Sequence, residues 1–267
     1  MTVSVTMISF IGQLADLARR QTLSRFRRPL AIENKLGDAG YDPVTEADRG
    51  AEQVIREQIR LQFPDHGIRG EEFGITAANS AFTWVIDPID GTRAFVSGLP
   101  VWGVLIGLLK EGQPILGLMD QPFTDERFVG SPDGAFLTHN GREQPISVRP
   151  CAKLADATFS TTDPFLFAGD EAAAFAALRE ATCLQRYGLD CYAYSALALG
   201  GIDLVVETGL QDYDICGLIP VVEAAGGQIS TWSGQSAAKG GQIIASGDAR
   251  IHAEALEILA PFAKGPA

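Results

Sequence analysis

The sequence predicts an α+β / α/β layered sandwich, with an antiparallel-sheet first subdomain over residues 1–150 and a smaller α/β subdomain over residues 151–267. Three observations predict it. Two segments of helical period precede the first strand; apolar runs of strand length then alternate with Gly, Pro and Asp turns from Trp84 to Arg149; beyond residue 150 strands and helices alternate. A chain of 267 residues with 46% hydrophobic content can bury a large core, which excludes disorder.

In order, Ile8, Ile11, Leu14, Leu17 and Ala18 share one helical face and end near Arg19-Arg20. Residues 25–41 are irregular, with Lys35 and the Gly37-Asp38-Ala39-Gly40 piece expected as a mobile loop. A second helix places Ala47, Ala51, Val54, Ile55 and Ile59 on one face and stops at Phe63-Pro64. Strands follow at 84–86, 101–109, 113–120, 126–130, 135–137 and 145–149, with a tight turn at Asn140-Gly141. The second subdomain reads as a strand at 158–160, an Ala-rich helix at 170–181, a helix ending at Leu199 and a strand at 203–207. One helix then starts at Asp214, with Ile215, Leu218, Ile219, Val222 and Ala225 on its inner face and Gly226-Gly227 at its C-terminus, before strands at 228–231 and 242–245.

A formal charge of −12 argues against nucleic acid as a partner, since phosphate-backbone binding needs clustered Lys and Arg. The apolar run 101–109 ends at Lys110, too short to span a membrane, and the N-terminus lacks a signal-peptide pattern. Cys151, Cys183, Cys191 and Cys216 form no CxxC pair or zinc-ligand spacing, so reduced thiols and a cytoplasmic location are expected.

The chemistry concentrates at Trp84-Val85-Ile86-Asp87-Pro88-Ile89-Asp90-Gly91-Thr92. An apolar strand, stopped by Pro88, delivers two carboxylates beside a helical turn whose N–H groups suit an anion. Acids beside a phosphate site repel it and one another unless a cation lies between them, which makes the turn half of a divalent-metal site. The competing reading is that Asp87 and Asp90 only cap the following helix. Thr45 and Asp48 fit a capping box, which by itself accounts for Asp48. In Gly70-Glu71-Glu72-Phe73-Gly74 one of the two acids can face a shared site while the other is solvated or paired; a plain acidic loop is the alternative.

With Gly70-Glu71-Glu72, Asp87-Pro88-Ile89-Asp90-Gly91-Thr92 and Tyr213-Asp214 in this order, the chain resembles the magnesium-dependent, lithium-sensitive phosphatases of the inositol monophosphatase superfamily over nearly its full length. Val44-Thr45-Glu46-Ala47-Asp48, Trp102-Gly103 and Glu223-Ala224-Ala225-Gly226-Gly227 add to the likeness. The resemblance implies αβαβα layers, a small-molecule phosphate ester as substrate and, since family members are often dimers, a homodimer. It implies Glu71, Asp87, the Ile89 carbonyl, Asp90 and Asp214 as ligands for two or three Mg²⁺ ions, with Gly91 and Thr92 binding phosphate. Thr92 and Asp48, assisted by Glu71, match the group that in the family orients and deprotonates the attacking water. These residue types would support a mechanism in which a metal-activated water attacks in line while a second metal stabilises the departing alkoxide. Lys35 falls where relatives often carry a loop lysine, although a solvated lysine is the default. A covalent aspartyl-phosphate route would use Asp-x-Asp, whereas Asp87 and Asp90 are three apart.

Tyr187-Gly188-Leu189-Asp190-Cys191-Tyr192-Ala193-Tyr194, Asp120-Gln121-Pro122 and Arg93 after Thr92 resemble the histidinol-phosphate phosphatase branch. Asp190 and Glu207 near the leaving group suit a cationic alcohol such as histidinol better than a neutral cyclitol, and Arg93 departs from the Asn common in inositol enzymes. An inositol-1-phosphate or broad nucleotide/sugar phosphomonoesterase is the alternative within the class. Of another class is a non-catalytic metal- and phosphate-binding regulator, which loss of a metal carboxylate would favour; all four positions are acidic here.

Overall fold

The structure is a computed structural model that describes residues 4–35 and 43–264, so the loop expected at 37–40 lies outside the described residues. Its elements are α1 (Val5–Leu23), β1 (Ile32–Asn34), β2 (Pro43–Thr45), α2 (Glu46–Gln62), β3 (Gly67–Gly70), β4 (Gly74–Thr76), β5 (Phe82–Asp90), α3 (Thr92–Val96), β6 (Gly103–Lys110), β7 (Gln113–Gln121), β8 (Glu126–Ser131), β9 (Gly134–His139) and β10 (Arg142–Pro145). Then come β11 (Thr158–Thr161), α4 (Asp170–Ala181), β12 (Leu184–Tyr187), α5 (Tyr192–Ala198), β13 (Leu204–Leu210), α6 (Asp212–Ile215), α7 (Ile219–Ala224), β14 (Gln228–Thr231), β15 (Gly241–Ser246) and α8 (Ala249–Leu259).

Five layers stack αβαβα. Phe10, Ile11 and Leu14 of α1 and Ala51, Ile55 and Ile59 of α2 pack on Trp84, Ile86, Ile106 and Leu118, one face of an eight-stranded sheet ordered β10-β9-β8-β7-β6-β5-β3-β4. Its other face supplies Leu105, Met119 and Phe128 to a central layer holding Leu197 of α5 and Val221 and Val222 of α7, backed by Val205, Ile243 and Ala245 of a five-stranded sheet ordered β12-β11-β13-β15-β14. Phe175 of α4 and Ile251 and Leu259 of α8 close the outer side on Phe159, Leu204 and Val206.

Several expectations need correction. The first sheet is not wholly antiparallel, because β3 runs parallel to β5. Pro88 does not stop β5. The strand continues to Asp90 through a bulge between Asp87 and Asp90, where a missing N–H is tolerated and the side chains are re-aimed. The last strand of the meander is β10 at 142–145, not 145–149, because Asn140 (φ 50°) and Gly141 (φ 70°) reverse the chain at once and Arg142 pairs directly with His139. The helix expected from Asp214 is two pieces, α6 and α7, parted at Cys216-Gly217-Leu218. The strands β1 to β4, the edge strand β12 and helix α8 lie outside the sequence expectation.

That break has a cause in the sheet beneath it. A Cβ on Gly107 would lie 2.8 Å from the Cys216 carbonyl oxygen, on Gly117 2.2 Å from that of Gly217, and on Gly130 2.2 Å from that of Pro220. Glycines on three adjacent strands thus let the α6–α7 backbone lie directly on the sheet, which fixes the depth of Asp214. Gly130→Ala is expected to destabilise the fold by about 3 kcal/mol and lower Tm by roughly 6–12 °C, whereas Gly12→Ala, on the α1 surface, leaves Tm unchanged or slightly raised; thermal unfolding followed by circular dichroism checks both.

Candidate active site

The bulge in β5 and the start of α6 bring Asp87, Asp90 and Asp214 together, and one carboxylate oxygen from each lies within 4.8 Å of the others. A cavity of about 230 Å³ covers them, lined also by Glu71, Ile89, Gly91, Thr92, Arg93 and Asp190.

Each acid is held from behind. Asp87 Oδ1 accepts from the Ile89 amide at 3.0 Å. Asp90 Oδ2 accepts from the Cys191 amide at 2.7 Å, which ties the sheet to the segment entering α5. Asp214 Oδ2 accepts from the Gln211 amide at 2.6 Å as the last member of a capping box. The amide of Glu71 is fixed at 3.2 Å to the Ile86 carbonyl. Beneath that turn Gly70 leaves no room for a Cβ, which would meet Glu52 Oε1 at 1.9 Å; the Glu52 carboxylate accepts from the amides of Glu72 (2.7 Å) and Phe73 (3.2 Å) and pairs with Arg56 at 2.9 Å.

Burial and mutual repulsion dominate the electrostatics. Asp87 is pushed well above the usual carboxylate range by burial, then by Glu71, Asp90 and Asp214; Asp90 by burial, then by Asp214 and Asp190. Asp214 is pushed up to about 7, chiefly by burial. Hard carboxylate oxygens that converge yet disfavour their own ionisation are the donor set a small, hard dication takes, so these residues fit Mg²⁺.

Asp48 is buried, and its two oxygens do different work. Oδ2 accepts from the Thr45 amide (2.9 Å) and hydroxyl (2.6 Å), closing the capping box of α2. Oδ1 faces the Thr92 hydroxyl at 3.4 Å, and that hydroxyl also reaches the Ile89 carbonyl at 3.0 Å. Burial raises Asp48 to about 6 against the Thr45 hydrogen bonds. Cap and site residue are therefore compatible roles. Gly91, at φ 82°, precedes α3, and a Cβ there would sit 3.0 Å from Asp190 Cβ and Cγ. Asp190 itself has φ 44°, a left-handed backbone that Asp tolerates better than most residues. Burial raises it to about 6 although Arg93 pulls the other way.

Two placements expected from the sequence come out differently, and a third motif proves structural. Lys35 is not a solvated lysine, since its ammonium lies 2.8 Å from Glu71 and 2.6 Å from Glu72. Glu207 does not line the cavity; its carboxylate accepts from the Thr161 hydroxyl (3.0 Å), the Thr162 amide (2.7 Å) and the Thr162 hydroxyl (3.0 Å), and it is Thr162 that faces the cavity. Asp120 is wholly buried between Arg19 (2.7 Å) and Arg127 (2.7 Å), so Asp120-Gln121-Pro122 is framework. Sequence reasoning missed Pro43, Thr162 and Leu166 in the lining and Glu52 beneath it. Thr162 had a signal in its place just past the C-terminal end of a parallel strand, a common ligand position in α/β sheets.

The sequence model of the inositol monophosphatase family matches residues 5–261. The chain belongs to the inositol monophosphatase family. It is thus a phosphatase, a phosphoric monoester hydrolase of a Mg²⁺-dependent family. It is 41% identical over 257 residues to the bifunctional phosphatase IMPL2, chloroplastic, of Arabidopsis thaliana, covering 92% of this chain and 72% of that one. It is 36% identical to a histidinol-phosphatase of Chlorobaculum parvum (88% and 89% covered). The structure of an inositol monophosphatase from Zymomonas mobilis superposes with a TM-score of 0.86 at 39% identity, covering 97% of this chain and 100% of that chain. Among the described residues no helix is long and apolar enough to cross a membrane.

The raised carboxylates have a measurable sign. A folded-state pKa above the unfolded value of 3.8 means that the folded chain holds its proton longer, so stability present below about pH 4 is lost as pH rises toward neutrality. Asp90→Asn removes one repelling charge. In EDTA its Tm is expected to match wild type below about pH 4 and to exceed it by roughly 2–6 °C at neutral pH, while Mg²⁺-dependent kcat/KM falls at least about a hundredfold. A thermal-melt series in pH together with phosphate-release assays checks both.

Proposed function

We propose that the chain hydrolyses L-histidinol phosphate to L-histidinol and phosphate, a step of histidine biosynthesis. The observation that carries this is Asp190, a carboxylate in the cavity wall packed against Gly91, whose burial outweighs the help it receives from Arg93. An under-neutralised acid at the leaving-group side attracts an ammonium-bearing alcohol and offers a neutral polyol no matching charge. The 36% identity to a histidinol-phosphatase supports the same substrate. Inositol 1-phosphate is the second reading, favoured by the likeness to the Zymomonas mobilis inositol monophosphatase.

In this reading Glu71, Asp87, the Ile89 carbonyl, Asp90 and Asp214 hold two or three Mg²⁺ ions. When bound, the ions neutralise phosphate charge and make a water acidic enough to attack. The chain's own residues do the rest. The amides of Gly91 and Thr92 at the opening of α3 orient the phosphate. The Thr92 hydroxyl, poised between Asp48 Oδ1 and the Ile89 carbonyl, takes the attacking water's proton as it passes its own to Asp48, with Glu71 assisting. Arg93 and Asp190 meet the leaving alcohol, and Glu207 acts by holding Thr162 in the wall.

The division at residue 150 into two subdomains, a cytoplasmic location and a homodimer belong to the same proposal. Four free thiols support a reducing compartment. Leu184 and Tyr187, exposed on the edge strand β12, support pairing with a second copy. Light scattering on the purified chain is expected to give twice the 28.5 kDa monomer mass.

Asp190→Asn is expected to reduce kcat/KM for histidinol phosphate about 10–100-fold and for inositol 1-phosphate by no more than about threefold. Equal losses on both, or equal wild-type rates on histidinol phosphate, inositol 1-phosphate and adenosine bisphosphate, would remove the histidinol assignment.

A further inference from the structure

Arg69 sits on β3 two residues before Glu71, and Asp212 opens α6 two residues before Asp214. Their side chains meet, with Arg69 Nε 2.6 Å from Asp212 Oδ2. The register explains the meeting. Ile68 of β3 points into the α1–α2 side of the sheet, so Arg69 points to the opposite side, and its neighbour across the parallel pair is Val85, which packs against Cys216 and Tyr213 of the α6 region.

We propose that this ion pair is a clamp that sets the α6 turn, and with it Asp214, at the height of the Glu71 and Asp87 carboxylates, so that Arg69 and Asp212 are positioning residues for the metal site. The inference rests on reading Glu71, Asp87, Asp90 and Asp214 as metal ligands. Several contacts fix α6, and they act in different directions. Gly107 and Gly117 set how deeply the Cys216-Gly217 end lies on the sheet, and the Cys216 thiol donates to the Ala238 carbonyl at 3.3 Å. The Leu210–Gly241 pairing and the Val85–Tyr213 packing hold the chain on either side of Asp212, but none of these contacts joins Asp212 itself to β3. The Arg69 bond does, and because the Asp214 carboxylate is fixed to the Gln211 amide, the whole first turn moves as one piece. Arg69 is 40% exposed, so the pair adds little to global stability. Its value lies in joining the two segments that carry ligands from different sheets.

A positional role and a purely electrostatic one give opposite signs for Arg69→Met. Arg69→Met leaves Asp212 negative beside Asp214, which by charge alone would tighten Mg²⁺ binding; Asp212→Asn removes a negative charge and would weaken it. The clamp requires both to weaken it. Calorimetric titration of the metal-free full-length chain with Mg²⁺ is expected to show a dissociation constant raised about tenfold in each variant. At saturating Mg²⁺ kcat should stay within about twofold, and the charge-swapped R69D/D212R variant should return to within about threefold of wild type. Unchanged or tighter Mg²⁺ binding by Arg69→Met overturns the clamp, as does a folded R69D/D212R chain that binds no better than the single variants. Asp90→Asn, titrated alongside, keeps the two readings apart. If it binds Mg²⁺ as wild type does, the ligand assignment fails; if it loses binding while Arg69→Met does not, the clamp alone fails.

Discussion

Everything near the cavity follows from one constraint, the confinement of acids that repel each other in a poorly solvated space. Burial is the first cause of the upward shift at Asp87, Asp90 and Asp214, and the neighbouring carboxylates are the next causes at Asp87 and Asp90. Left free, such side chains would rotate apart or draw in water. Here each is held by a backbone amide: Ile89 for Asp87, Cys191 for Asp90, Gln211 for Asp214. The Ile89 and Gln211 bonds lock Asp87 and Asp214 to their own turns, and the Cys191 bond ties Asp90 to a segment about 100 residues away, so relaxation of Asp90 needs movement of the segment entering α5. Folding free energy thus keeps the charges together, and a dication bound among them would recover it.

The architecture is arranged so that those elements cannot move. The β5 bulge re-aims the strand between Asp87 and Asp90, and the glycines of β6, β7 and β8 let α6 and α7 lie on the sheet with no side chain between them. Aromatic packing supports the far side of the turn: Phe95 meets Trp102 edge to face at 4.8 Å, and Gln121 Nε2 donates to the Trp102 carbonyl at 2.8 Å. Asp48 shows how closely framework and chemistry are joined. One oxygen terminates α2 and the other addresses Thr92, so the helix that packs the outer layer also orients a side chain over the site.

What was legible in the sequence was local. The helical period of α1 and α2, the Thr45/Asp48 box and the grouping of Asp87, Asp90 and Gly91 need only a few residues of context, and the structure brings them out as read. The layered fold was legible for the same reason, because each layer carries its own period. The misreadings were non-local. Pro88 breaks most strands, and only the pairing of β5 with β6 shows that a bulge accommodates it. The Asp214 helix looked continuous because its apolar spacing is continuous; its interruption is imposed by bare backbone on three strands more than 80 residues earlier. Lys35 looked solvated until the fold laid it against Glu71 and Glu72.

Specificity is the part least written in local pattern, and Glu207 shows why. Its type and position suggest a residue that greets the substrate, yet the parallel pairing of β11 and β13 puts Thr161 and Thr162 in front of it, and three hydrogen bonds occupy its carboxylate. Burial raises it to about 7 against those same bonds, and with its oxygens already occupied it serves as a scaffold for the Thr162 hydroxyl. Asp190 is the reverse case. Its unremarkable loop setting becomes a cavity wall because the absent side chain at Gly91 makes room for it. Under the proposed histidinol phosphate reading, a cationic leaving group meets an acid that the Asp87–Thr92 turn itself admits to the cavity, so substrate choice and the geometry of that turn are coupled.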